Sequence, residues 1–112
     1  MKFTCTKNNF NNGINIALKA VPGKTTMPIL ECVVIEAKGD MVKLTTNDMQ
    51  LGIETKIPAE IEQDGIILVN AKMISEIVRR LPDDDVNFEV DENNNILLFC
   101  GKSKFNIPGI PH

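Results

Sequence analysis

Gly23-Lys24-Thr25 has the composition of the end of a phosphate-gripping loop, in which backbone N–H groups and a lysine surround the phosphates of a nucleotide. The full pattern needs glycine at position 18, where this chain has Leu18. It also needs a strand before the loop and a helix after it, so that the helix N-terminus completes the cradle. Here the apolar periodicity gives the reverse order, helix first and strand second. A nucleotide site is therefore not expected. Lys24 is left as a point charge on a loop, which is how the backbone of a duplex is contacted.

Other reactive residue types form no catalytic set. His112 is the single histidine, stands at the end of the chain, and has no Ser, Cys or Asp arranged with it for nucleophilic chemistry. Asp83-Asp84-Asp85 follows Pro82 as three adjacent carboxylates in a turn, which reads as solvated charge and not as a metal site. Cys5, Cys32 and Cys100 are odd in number, far apart and set in apolar stretches, the pattern of buried free thiols in a reducing cytosol. No catalytic residue, metal or cofactor is expected, and no segment approaches the ~18 apolar residues of a membrane span. The first residues lack the apolar centre of a signal peptide, so the expected location is cytoplasmic.

Cations remain as the informative chemistry. The chain of 112 residues carries a formal charge of -3, so it cannot cling to nucleic acid over its whole surface. Any such contact must come from cations gathered in one place. Lys72, Glu76 and Arg79 follow helical spacing, which aims Lys72 and Arg79 the same way. Lys7 and Lys19 flank an earlier helical stretch, and Lys24 lies just beyond it. The plain alternative is a solvated helix face with a Lys72 to Glu76 pair worth about 0.2–0.5 kcal/mol.

The elements that must position these charges repeat once. Lys2 to Thr6 alternates as a short strand, then Phe10, Ile14, Ala17, Leu18 and Val21 recur at helical spacing until Pro22 and Gly23. Asn12-Gly13 within this stretch is a competing hairpin signal. Strands are expected at 29–38, 41–47 and 49–57, and residues 58–65 read as a polar connector. After it, 66–69 is a strand and Asn70 a helix N-cap. Met73, Ile74, Ile77, Val78 and Leu81 form an apolar stripe stopped by Pro82, and three strands follow at 86–90, 96–100 and 104–107. Both halves thus read strand, helix, strand, strand, strand. The expected fold is α+β, with an antiparallel sheet from each half and the two helices side by side on one surface.

Several short motifs add to this order: Met1-Lys2-Phe3-Thr4, Lys24-Thr25-Thr26-Met27-Pro28-Ile29-Leu30, Thr45-Thr46-Asn47-Asp48, Ile74-Ser75-Glu76-Ile77-Val78-Arg79 and Leu81-Pro82. In these the whole chain closely resembles the bacterial sliding-clamp family, the beta subunits of DNA polymerase III. The resemblance implies the DNA clamp fold, with sheets outside and helices lining a hole. It implies that residues 1–112 are the first, N-terminal, domain of three, ending before the second and third. It further implies a non-catalytic processivity factor for DNA replication, whose subunits join head to tail as a homodimer ring around duplex DNA. DNA polymerase III and the clamp loader would bind through the later domains.

Position by position, the resemblance makes Lys24, Lys72 and Arg79 the DNA-binding residues. Lys72 stands where many members carry Arg, which turns a bidentate phosphate grip into a single-point contact. The resemblance likewise assigns Lys102, Lys104, Phe105 and Ile107 to the subunit interface. Periodicity alone makes Phe105 and Ile107 core residues of an alternating strand, and an edge strand is a docking surface. A lone first domain carries one of the two surfaces that a head-to-tail ring needs, so it is expected to be a monomer or weak associate. The competing function is a protein-binding module that uses a sheet edge, without DNA contact.

Overall fold

The computed structural model describes residues 1–23 and 25–112. The first strand, β1 (Lys2–Thr6), turns Phe3 and Cys5 inward, and the Thr6 hydroxyl oxygen then accepts from Asn9 N–H at 3.1 Å. That cap starts α1 (Lys7–Ala17), which tightens into a 3-10 turn over Leu18–Ala20. The hairpin signal at Asn12-Gly13 loses to packing. A Cβ on Gly13 would lie 2.8 Å from Ile57 Cγ2 and 2.9 Å from Leu44 Cδ1, so glycine is what lets the helix approach the sheet. At the far end of α1 the buried Thr46 hydroxyl donates to the Ala17 carbonyl at 2.6 Å.

Pro28–Glu31 forms a 3-10 turn, so β2 (Cys32–Lys38) begins later than the apolar run suggested. Then come β3 (Met41–Asn47) and β4 (Gly52–Pro58). The expected strand start at Met49 is displaced to Gly52. Asp48 Oδ1 accepts from Gln50 and Leu51 N–H at 2.9 and 2.6 Å, and Met49 takes a left-handed backbone with φ 79°. Those two N–H bonds, that from Leu51 first, also lower the Asp48 pKa below its ordinary value.

The segment expected as a connector contains a strand, β5 (Glu60–Gln63), that pairs with β1. Only Ile61 on it faces the core, while Glu60, Glu62 and Gln63 are exposed. A charged edge strand carries almost no hydrophobic signal. Next, β6 (Gly65–Asn70) leads into α2 (Ala71–Arg79), whose N-cap is Asn70 as expected: its Oδ1 accepts from Met73 N–H at 2.9 Å. The last three strands are β7 (Asp85–Val90), β8 (Asn95–Cys100) and β9 (Ser103–Pro108).

Two antiparallel sheets result, ordered β5-β1-β7-β8-β9 and β4-β3-β2-β6. Each half therefore does not keep its own sheet. The opening strand β1 pairs with β7 of the second half, and β6 pairs with β2 of the first. The two sheets and both helices enclose one core, at whose centre Phe3 stacks on Phe88 (centroids 4.8 Å apart) with Phe10 set edge-on to both. After β9 the chain crosses back, and Ile110 exchanges two backbone hydrogen bonds with Leu68 of β6.

Gly13→Ala tests the close approach of α1. Overpacking costs ~1–3 kcal/mol, against a helix-propensity gain of ~1 kcal/mol. The expected net loss of about 1 kcal/mol would lower the urea midpoint, and a midpoint at or above wild type would show that Gly13 is not needed for the close approach.

Candidate nucleic-acid interface

The two helices touch each other, with α1 lying on β3 and β4 and α2 beside β6. On α2 the buried side is Ala71, Ile74, Ser75 and Val78. Met73 departs from the expected apolar stripe, being 42% exposed, and Ile77 is half-buried. The outward side carries Lys72, Glu76, Arg79 and Arg80, all exposed. Lys72 and Arg79 are seven residues apart, which places them on one face, separated by ~10 Å along the axis.

Glu76 does not pair with Lys72. Its Oε2 accepts from Arg79 Nη2 at 2.6 Å and lies 3.5 Å from Arg80 Nη2. One carboxylate thus braces two guanidinium groups, leaving Lys72 without an ion-pair partner among the described residues. Lys72 also stands in the first turn of α2, where no acidic residue offsets the positive end of the helix. A cation there works against helix stability by ~0.3–1 kcal/mol unless an anion approaches.

The same bias holds for α1. Its first turn has no acid, and of the fifteen acidic residues in the chain only Glu76 lies on either α-helix. Exposed positions of α1 are Asn8, Asn12, Asn15 and Ile16, followed by Lys19. Asn8, Asn12 and Asn15 follow helical spacing, so neutral amide donors share the exposed side of α1. The helix layer of an acidic domain is therefore nearly free of carboxylates, the condition under which a polyanion can approach. Sequence reasoning missed Arg80 and this amide row, although the spacing 8, 12, 15 was visible. Lys24 lies outside the described residues, and with it the expectation that it shares a surface with Lys72 and Arg79.

The residues assigned to a subunit interface lie at the other end of the sheet order. Strand β9 ends the five-stranded sheet, paired only with β8. Lys102 is exposed in the preceding turn, and Lys104 is exposed with its Nζ 5.4 Å from the centre of the Phe99 ring. Phe105 is half-buried against the core, whereas Ile107 is 1% exposed and belongs to the core itself. What β9 offers a partner is its open backbone edge, Lys104 and part of Phe105.

The remaining chemistry is structural. Asp83-Asp84-Asp85 joins elements: the Asp84 carbonyl accepts from Lys7 N–H at 3.1 Å, and Asp84 Oδ1 accepts from Asp85 N–H at 2.8 Å. Among the described residues no group of three or more His, Cys, Asp and Glu is arranged to hold a metal ion, and no helix is long and apolar enough to cross a membrane. A cleft of about 410 Å³ lies where β1 meets the start of α1, bordered by Cys5, Asp40, Glu60 and Asp85. All three cysteines are free and buried. Burial, reinforced by Asp85, pushes the Cys5 thiol up to about 12.

Comparison with known proteins places this geometry. The family model described as the N-terminal domain of the DNA polymerase III beta subunit matches residues 1–112. The chain is similar to the beta sliding clamp of Bacillus subtilis, at 38% identity over 98% of this chain and 31% of the relative. Among solved structures it superimposes on a DNA polymerase III beta subunit from Eubacterium rectale, described as putative, with a TM-score of 0.95 and 52% identity, covering 99% of this chain and 30% of that one. The sliding clamp of Bacillus subtilis superimposes with the same TM-score of 0.95 at 37% identity, covering 99% and 31%. The chain spans about a third of the length of the relatives it matches.

The raised Cys5 pKa has a direct readout. With the pKa at about 12 instead of 9.0, the thiolate fraction at pH 8 falls about a thousandfold. Maleimide is expected to leave Cys5 unlabelled in the native protein at pH 8 and to label it rapidly in 6 M guanidinium. Rapid native labelling at Cys5, read by peptide mass mapping, would contradict its burial.

Proposed function

This chain belongs to the DNA polymerase III beta-subunit family through its N-terminal domain, and on that premise we propose that it is the first domain of a DNA sliding clamp. In this reading the protein is a processivity factor, not an enzyme, and works in the cytoplasm. Two subunits close head to tail around duplex DNA and tether the replicative polymerase, with polymerase and clamp loader bound through later domains. The observation that carries the reading is the separation of charge. A chain with net charge -3 keeps a single carboxylate on its two α-helices, which carry Lys7, Lys72 and Arg79, with Lys19 in the 3-10 turn that follows α1.

The physical logic suits movement along DNA. Phosphate contacts from Lys24, Lys72 and Arg79 carry no sequence information, and each adds about -0.9 to the slope of log affinity against log salt. Three of them lose roughly fortyfold in affinity between 50 and 200 mM salt. Such contacts retain DNA feebly. A closed ring needs no more, because topology holds the duplex while weak contacts leave it free to slide.

Lys104 and Phe105 on β9, supported from below by the buried Ile107, and Lys102 in the turn before it form the edge against which a partner subunit would dock. A head-to-tail contact joins two different surfaces and closes after two subunits.

Charge reversal at Lys24, Lys72 and Arg79 in the full-length protein is expected to lower retention on nicked circular DNA and to flatten its salt dependence by a slope of about 2.7 or more. Unchanged retention would favour the sheet-edge binding module instead. Glu76→Gln has the opposite expected effect. It releases the two guanidinium groups that Glu76 holds and should raise duplex affinity a fewfold at low salt, while costing the helix ~0.3–0.5 kcal/mol. Weaker DNA binding in Glu76→Gln would show that the carboxylate positions Arg79 for contact.

A further inference from the structure

The four-stranded sheet has a second charged face, on the side away from α1. Alternation along the strands sends Leu44 and Ile57 toward Gly13 of α1, so Lys43 and Lys56 project from the opposite side. The register sets Glu36 opposite Lys43 and Lys43 opposite Lys56, and pairs Lys38 with Met41 at the end of the same hairpin. Together these five residues line a groove of about 230 Å³.

Lys43 Nζ is 3.3 Å from Glu36 Oε1, which neutralises one lysine of the three. Neither Lys38 nor Lys56 has a carboxylate within ion-pair distance among the described residues. Glu54, two residues before Lys56 on β4 and opposite Thr45, shares this face of the sheet but makes no ion pair with Lys56. Two lysines directly opposite each other in a sheet destabilise it. A local cost of this kind, on an acidic chain and around an apolar Met41, is relieved when anions bind across it.

We propose that the outer groove formed by Lys38, Met41, Lys43 and Lys56 docks a short acidic peptide segment of a partner protein, with carboxylates on the lysines and an apolar side chain on Met41. The cation row crosses three strands, ~10 Å, which spans two or three residues of an extended peptide. That distance suits two carboxylates separated by an apolar residue. It is short for a duplex, and the face offers no aromatic ring for base stacking, since Phe3, Phe10 and Phe88 are in the core and Phe99 and Phe105 are on the other sheet. The proposal does not depend on the clamp reading, because the groove faces away from α1.

The test uses the full-length protein and a fluorescein-labelled Glu-Leu-Asp-Glu-Leu-Asp peptide, read by fluorescence anisotropy at 50 mM salt. Saturable binding is expected, with no binding of the Gln/Asn version of the peptide. Lys56→Glu should weaken the acidic peptide roughly five- to twentyfold. The same variant should melt at or above the wild-type temperature, because it sets a carboxylate opposite Lys43. Absence of saturable binding, or equal binding by Lys56→Glu, would overturn the proposal. So would tighter binding of a dT oligonucleotide that is lost in the same variant, which would assign the groove to nucleic acid. Self-association abolished by Lys56→Glu would place the chain's own acidic turn there and would equally overturn it.

Discussion

Exchange of one strand between the two halves is the constraint on which the rest of the structure depends. Strand β1 lies between β5 and β7 of the second half, and β6 pairs with β2 of the first, so each half completes its sheet with a strand from the other. Neither repeat can satisfy its backbone or bury its apolar face alone. The aromatic trio shows the same dependence in the core, since Phe3 and Phe10 come from the first half and Phe88 from the second. With both sheets locked in this way, the helices that follow β1 and β6 are brought into contact, and their outward residues become one layer.

That layer is where the chemistry of the chain becomes uneven. Carboxylates lie almost entirely on strands, turns and the connecting segments, while the helices keep cations and amides. The segregation has a cost, because Lys72 opposes the dipole of its own helix. Glu76 limits the cost at the other end by bracing Arg79 and Arg80. The proposed sliding contact with DNA needs this balance: enough positive potential to face phosphates, and too little to hold them in one place. The lysines on the outer sheet face show that charge was placed on a second surface too, in a register that a solvent-exposed sheet would not favour by itself.

Much of the architecture was legible because it rests on local periodicity. The stripe of Phe10, Ile14 and Ala17, the Asn70 cap, the Pro82 stop and the alternation of the last three strands are all read correctly from residue type and spacing. The failures occurred where a distant contact decides. Gly13 has a helical role only because Leu44 and Ile57 press against it, and β5 exists only because β1 offers a free edge. The Lys72 to Glu76 pair was equally permissible by spacing, but the guanidinium groups at 79 and 80 reach the carboxylate instead.

The residue pattern by itself determined the kinds of element, their duplicated order, the family resemblance and which cations share a helix face. Each of these is carried by neighbours within a few positions along the chain. Only the tertiary structure decided which strand completes which sheet, which carboxylate neutralises which cation, and that Ile107 lies in the core beneath the β9 edge. The physical reason is range: propensity and periodicity act over one or two turns, whereas edge pairing, desolvation and ion-pair choice depend on groups that only folding brings within a few ångströms.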